Sequence, residues 1–126
     1  MQNPLSITLG ESEYRFACLI WENEPIGSGA LVKEAATQLG WKKSTTYTVL
    51  KNLIGKGVLQ NDNSVVTALI KKAEIQQAES AALIDRAFEG SLPQFIAAFL
   101  GNGQISTEEA AQIRTLLEEY KGDTSC

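Results

Sequence analysis

The sequence contains no histidine, and only two of its 126 residues are cysteine. Without histidine the chain lacks the commonest general base and the commonest metal ligand. Cys18 lies in an apolar helical pattern and Cys126 is the last residue. They read as a core thiol and a tail thiol, and two such distant thiols cannot close a zinc site within one chain. No glycine-rich phosphate loop follows a strand pattern. No catalytic set can be assembled, so neither an enzyme, a cofactor nor a metal is expected. No apolar run reaches the ~18 residues of a membrane span. The first residues lack the basic-then-apolar order of a signal peptide. The expected compartment is the cytoplasm, with no membrane partner.

Carboxylates outnumber cations overall, and the net charge is −4. The imbalance is uneven. Residues 1–72 hold eight Lys/Arg against six Asp/Glu, and residues 73–126 hold three against nine. A mildly basic first half and an acidic second half suit a chain in which only the first half meets phosphate. The hydrophobic fraction of 44% is that of a folded globular protein.

Hydrophobic periodicity then orders the elements. Phe16, Ala17, Ile20 and Trp21 form one face of a helix over about 12–21, stopped by Asn23-Glu24-Pro25. Pro25-Ile26-Gly27 is short and extended. Ser28 is the expected N-cap of a second helix whose inner face is Leu31, Ala35 and Leu39, ended by Gly40. Ser44 is the expected cap of a third helix, with Thr46, Val49, Leu50 and Leu53 inward. Gly55-Lys56-Gly57 closes it. Val58–Asn61 and Ser64–Leu69 read as two strands around an Asp62-Asn63 turn. Three short helices and a hairpin, in that order, predict a winged helix-turn-helix.

From about Lys71 the composition favours helix as far as Gly90. Ser91-Leu92-Pro93 starts another helix, with Phe95, Ile96, Phe99 and Leu100 on its apolar face. Ser106 and Glu109 form a capping box for a last helix. Its seam is Ala110, Ile113, Leu117 and Tyr120, with Leu116 alongside. The predicted fold is mainly α: a winged-helix domain over 1–71 and a helical dimerisation domain over 72–126. The seam and the Phe95/Phe99 face exceed what one short helix pair can bury, so a homodimer is expected through Phe95, Phe99, Ile113, Leu116, Leu117 and Tyr120.

The third helix carries the candidate function. At about 100° per residue its outer face is Ser44, Thr48 and Lys51, with Tyr47 beside them. Residues 41–57 include Lys42, Lys43, Lys51 and Lys56 and no Asp or Glu. Hydroxyls and lysines on a helix can contact base edges in the major groove, and Lys42 and Lys43 precede a helix N-terminus that favours phosphate. The alternative is an ordinary solvated face on a winged helix that docks proteins without nucleic acid, which the acidic total favours.

Four segments narrow this further: ESEYRFACLIWE, WKKSTTYTVLKNLIGKGVLQ, LIDRAFEGSLPQFIAAFL and ISTEEAAQIRTLLEEY. Together they resemble the penicillinase-repressor family, which includes methicillin-resistance and copper-responsive repressors. The resemblance implies a dimeric transcriptional repressor bound to a dyad operator in double-stranded DNA. It implies a recognition helix over about 44–55, and it adds Thr45 and Asn52 to the candidate DNA-contacting residues. Asn52 stands where the family commonly has Arg. The wing segment QNDNSVVT has no basic residue. The copper-responsive branch carries paired Cys-x-Cys motifs that are missing here. In the β-lactam-responsive branch a regulatory protease is a partner and cuts an Asn-Phe pair; the corresponding pair here is Ala98-Phe99.

Overall fold

The computed structural model describes residues 7–120, so Cys126 falls outside the described part. The architecture is mainly helical, as predicted: three helices and a small antiparallel sheet, then three further helices. The elements are α1 (Glu11–Asn23), β1 (Ile26–Gly27), α2 (Ser28–Leu39), α3 (Lys43–Gly55), β2 (Leu59–Asp62), β3 (Val65–Ala68), α4 (Lys72–Phe88), α5 (Leu92–Asn102) and α6 (Thr107–Glu119).

α1 buries Phe16, Ala17, Leu19 and Ile20. Trp21 is only half-buried because its indole N–H reaches out to the Ile70 carbonyl at 3.0 Å. The helix starts where the Gly10 amide donates to Glu13 Oε1 at 2.9 Å, satisfying one of the unpaired first-turn donors.

Two helix starts differ from the sequence expectation. α2 is capped by Gly27, and Ser28 is its first residue. The reason is tertiary: β1 pairs with β3, and the Ser28 amide donates to the Ser64 carbonyl at 2.8 Å. α3 is capped by Lys42, not Ser44. Here Trp41 stacks on Phe16 with ring centroids 5.4 Å apart, which fixes where the chain enters the helix. Gly40, at φ +72°, makes the left-handed turn between the two helices.

The hairpin turn is also one residue later than expected. Asp62 pairs with Val65 and Leu59 with Ala68, so Asn63-Ser64 is the loop. Both loop residues have positive φ, 58° and 66°, as a type I′ turn requires. This register buries Leu59, Val66 and Ala68 together. The sheet order is β1-β3-β2. Leu31, Ala35, Leu50, Leu53 and Val58 complete the core with the α1 residues.

α4 leaves the wing and docks its first turns beside α1. Ile75 and Ala78 are buried. Glu24 accepts from the Ala68 amide at 2.9 Å and from Lys71 Nζ at 3.1 Å. Gln76 Nε2 donates to the Tyr14 hydroxyl at 3.3 Å, and the Leu9 amide donates to Glu79 Oε2 at 3.0 Å. Farther on, Ser91 caps α5 through Gln94, and Ser106 and Glu109 form the expected reciprocal box on α6. Among the described residues, neither α5 nor α6 contains a fully buried one. No described helix is long and apolar enough to cross a membrane.

Candidate nucleic-acid interface

α3 divides its residues as its spacing dictates. Thr46, Leu50 and Leu53 are buried and Val49 is half-buried. Thr46 is tolerated inside because its hydroxyl donates to the Lys42 carbonyl at 3.0 Å. Lys42, Lys43, Ser44, Thr45, Tyr47, Thr48, Lys51 and Asn52 are all exposed. One helix thus brings every candidate DNA-contacting residue to a solvent-facing surface. The Thr48 hydroxyl donates to the Ser44 carbonyl at 3.0 Å, which leaves its lone pairs and methyl group outward. No acidic residue and no side-chain cap occupies the first turn of α3. Its leading amides and the Lys42 and Lys43 ammonium groups therefore present positive charge together.

Lys56 behaves differently from the other lysines of this segment. Its ammonium donates to Glu13 Oε1 at 2.7 Å. It is engaged by α1 and does not belong to the free basic face. Sequence reasoning missed this pair because the residues lie 43 positions apart. Glu13 is mostly shielded from solvent. Burial pushes its carboxyl up, but the Lys56 hydrogen bond, the Gly10 amide and the Lys56 charge outweigh burial and hold it below the ordinary glutamate value. At Glu24 the Ala68 amide, opposed by burial and helped by Lys71, has the same net effect.

The wing offers no cation. Its tip is Asp62-Asn63-Ser64, and Asp62 is exposed. Any grip on phosphate from this edge must use backbone amides or neutral side chains.

The proposed pairing residues are spread over more than one depression. Phe99, Ile113 and Leu117 line an apolar groove between α5 and α6, together with Ile96, Leu100 and Ile105. Leu116 lies in a different shallow depression with Ala111, Gln112 and Thr115. Phe95 is half-buried, with its ring edge-on to Phe88 at 5.4 Å. Tyr120 caps the end of α6 and is 73% exposed, so it sits just beyond the helical seam. Ala98 and Phe99 are both exposed on α5. Among the described residues no three His, Cys, Asp or Glu side chains converge.

Residues 9–119 match the family described as penicillinase repressor. A penicillinase repressor of Bacillus licheniformis is 28% identical over 117 residues, covering 90% of this chain and 91% of that protein. The match spans the winged helix and all three C-terminal helices.

Proposed function

Because the chain belongs to the penicillinase repressor family, we propose that it is a homodimeric transcriptional repressor that lays α3 in the major groove of a dyad operator. The observation that carries this reading is the exposed, carboxylate-free outer face of α3. Lys51, Thr48, Tyr47 and Asn52 would meet base edges, and Lys42, Lys43, Ser44 and Thr45 would meet the backbone at the helix N-terminus. Residues 1–71 form the reading domain and residues 72–126 the pairing domain. Pairing would use the apolar groove of Phe99, Ile113 and Leu117, extended by Phe95, Leu116 and Tyr120. The apolar periodicity of α5 and α6 without burial in one chain supports a second copy as their cover. The protein would act without catalysis and in the cytoplasm, where its operator would lie.

One set of observations favours docking to protein instead: the acidic wing tip, the engaged Lys56 and the net charge of −4. Selection of bound DNA from a random pool, using the purified full chain, separates the two. The repressor reading expects enrichment of an inverted repeat with half-sites roughly one helical turn apart, or a simple variation on that. Recovery of no enriched sequence at low salt would favour the docking module.

A further inference from the structure

The three residues before α1 connect the recognition helix to the helix that leads into the pairing domain. On one side, Lys56 at the end of α3 donates to Glu13, and its ammonium lies 3.5 Å from the Thr8 carbonyl. Gly10 donates to the same Glu13 oxygen. On the other side, the Leu9 amide donates to Glu79 Oε2 on α4 at 3.0 Å. Residues 8–10 thus form a strap with α3 at one edge and α4 at the other.

We propose that Glu79 is a positioning residue: by holding Leu9 it sets the angle between α3 and α4, and with it the half-site spacing that the dimer accepts. The proposal rests on the dyad-binding reading above. The base of α4 is held by Trp21 on Ile70 and by Glu24 on Ala68 and Lys71. Ile75 and Ala78 also bury the inner face of its first two turns, but apolar contacts are non-directional and leave the helix axis free to tilt. Glu79 lies eight residues beyond Lys71, about 12 Å along the axis at about 1.5 Å per residue. A directional hold at that distance limits the tilt. It is half-buried beside Ala78, and a carboxylate accepting a backbone amide makes a charge-assisted bond. Gln76 on Tyr14 adds a weaker, exposed contact on the same side. Glu79 touches neither the outer face of α3 nor the α5–α6 groove, so it can alter geometry without altering reading or pairing.

Geometry matters because one base pair of added spacer moves a half-site by about 3.4 Å and turns it by roughly 35°. A rigid dimer then loses simultaneous engagement, which is worth on the order of 10²- to 10⁴-fold in affinity when both sites fit. A dimer with loosened heads keeps part of that gain at several spacings and has less of it at the best one.

The test measures affinity for operators selected by the wild-type protein, with the spacer changed by one and two base pairs, and for an isolated half-site. Wild type should lose on the order of 10²-fold for one added base pair. Glu79→Ala should lose less than about tenfold, with half-site affinity, dimerisation and melting profile retained. Glu79→Gln still offers an acceptor to Leu9 and should restore the sharp spacing profile. An unchanged profile in Glu79→Ala, or equal broadening in Glu79→Gln, overturns the role assigned to the amide bond. If Glu79→Ala does not fold, hydrogen exchange in wild type reads the same link: a Leu9 amide that exchanges at the free-chain rate overturns it. Failure of wild type to bind any DNA overturns the dyad-binding reading itself, a result distinct from an unaltered spacing profile.

Discussion

The two halves of this chain use hydrophobic periodicity to different ends. In residues 11–70 the apolar faces of α1, α2, α3 and the sheet meet one another, and Phe16, Ile20, Leu31, Leu53 and Val66 are fully buried. In α5 and α6 the same kind of periodicity ends in solvent, with Leu92, Phe99, Leu100, Leu116 and Leu117 about half exposed or more. A head with its own core needs no partner to fold. A pair of helices whose apolar side chains stay largely exposed in one chain gains further hydrophobic stabilisation from another surface. Stability in the first half is therefore expected to be intrinsic, and in the second half to depend on protein concentration.

The largest effect should come from the head. Phe16→Ala removes the ring on which Trp41 stacks and should cost about 3–5 kcal/mol, read by denaturant melts of the winged helix. That cost should not change with protein concentration. If it does, the head is not independent of pairing, and the contrast between the halves fails.

The complementary change is Leu117→Asp. Leu117 is 67% exposed in one chain, so a monomer should tolerate the charge, whereas a dimer covering the groove would have to desolvate a carboxylate there, with Arg114 the one cation in the groove lining. The expected result is dissociation in sedimentation, at about 3–5 kcal/mol of association, with the head still folded. Wild-type protein sedimenting as a monomer at tens of micromolar (roughly the range in which an obligate dimer persists) would contradict the pairing role of α5 and α6.

Within the head, the outer face of α3 should separate into two kinds of contact. Thr48→Ala or Lys51→Ala should cost about 1–3 kcal/mol per base contact and relax preference at defined operator positions. Lys43→Ala should weaken all sequences similarly and lower the salt slope by about one for each phosphate left without its lysine. Folded, dimeric Thr48→Ala and Lys51→Ala proteins with unaltered selectivity would remove α3 as the reader.

The smallest effect concerns acid. Glu13 and Glu24 both have carboxyls held below the ordinary glutamate value in the folded head. Their contribution is complete above the unfolded value of about 4.3 and disappears as pH falls through the lowered folded value. Glu13→Gln should therefore flatten the loss of head stability in that acidic window, by about 1 kcal/mol or less, as partly exposed ion pairs usually contribute. An unchanged pH profile would show that the Lys56 pair contributes nothing to stability.

The face of α3 was legible because helical geometry alone places Ser44, Thr48 and Lys51 opposite Thr46, Leu50 and Leu53. The Ser106–Glu109 box was legible because both partners lie within one turn. The caps of α2 and α3 were not, because a wing carbonyl satisfies the Ser28 amide and an aromatic stack on α1 fixes Trp41. The turn was displaced by one residue because burial of Leu59 with Ala68 selects the register, and no local signal distinguishes Asp62-Asn63 from Asn63-Ser64.

Spacing and composition set the order of elements, the polarity of each helix face, and the contrast between a cation-bearing third helix and an acidic second half. Both act over a few residues and need no long-range contact. Folding of the whole chain was needed to pair Lys56 with Glu13, to bring the Leu9 amide to Glu79, and to set Trp21 and Glu24 against the start of α4. Those bonds join residues 43 to 70 positions apart, and such pairs meet only after the core of Phe16, Ile20, Leu31 and Leu53 has brought their helices together.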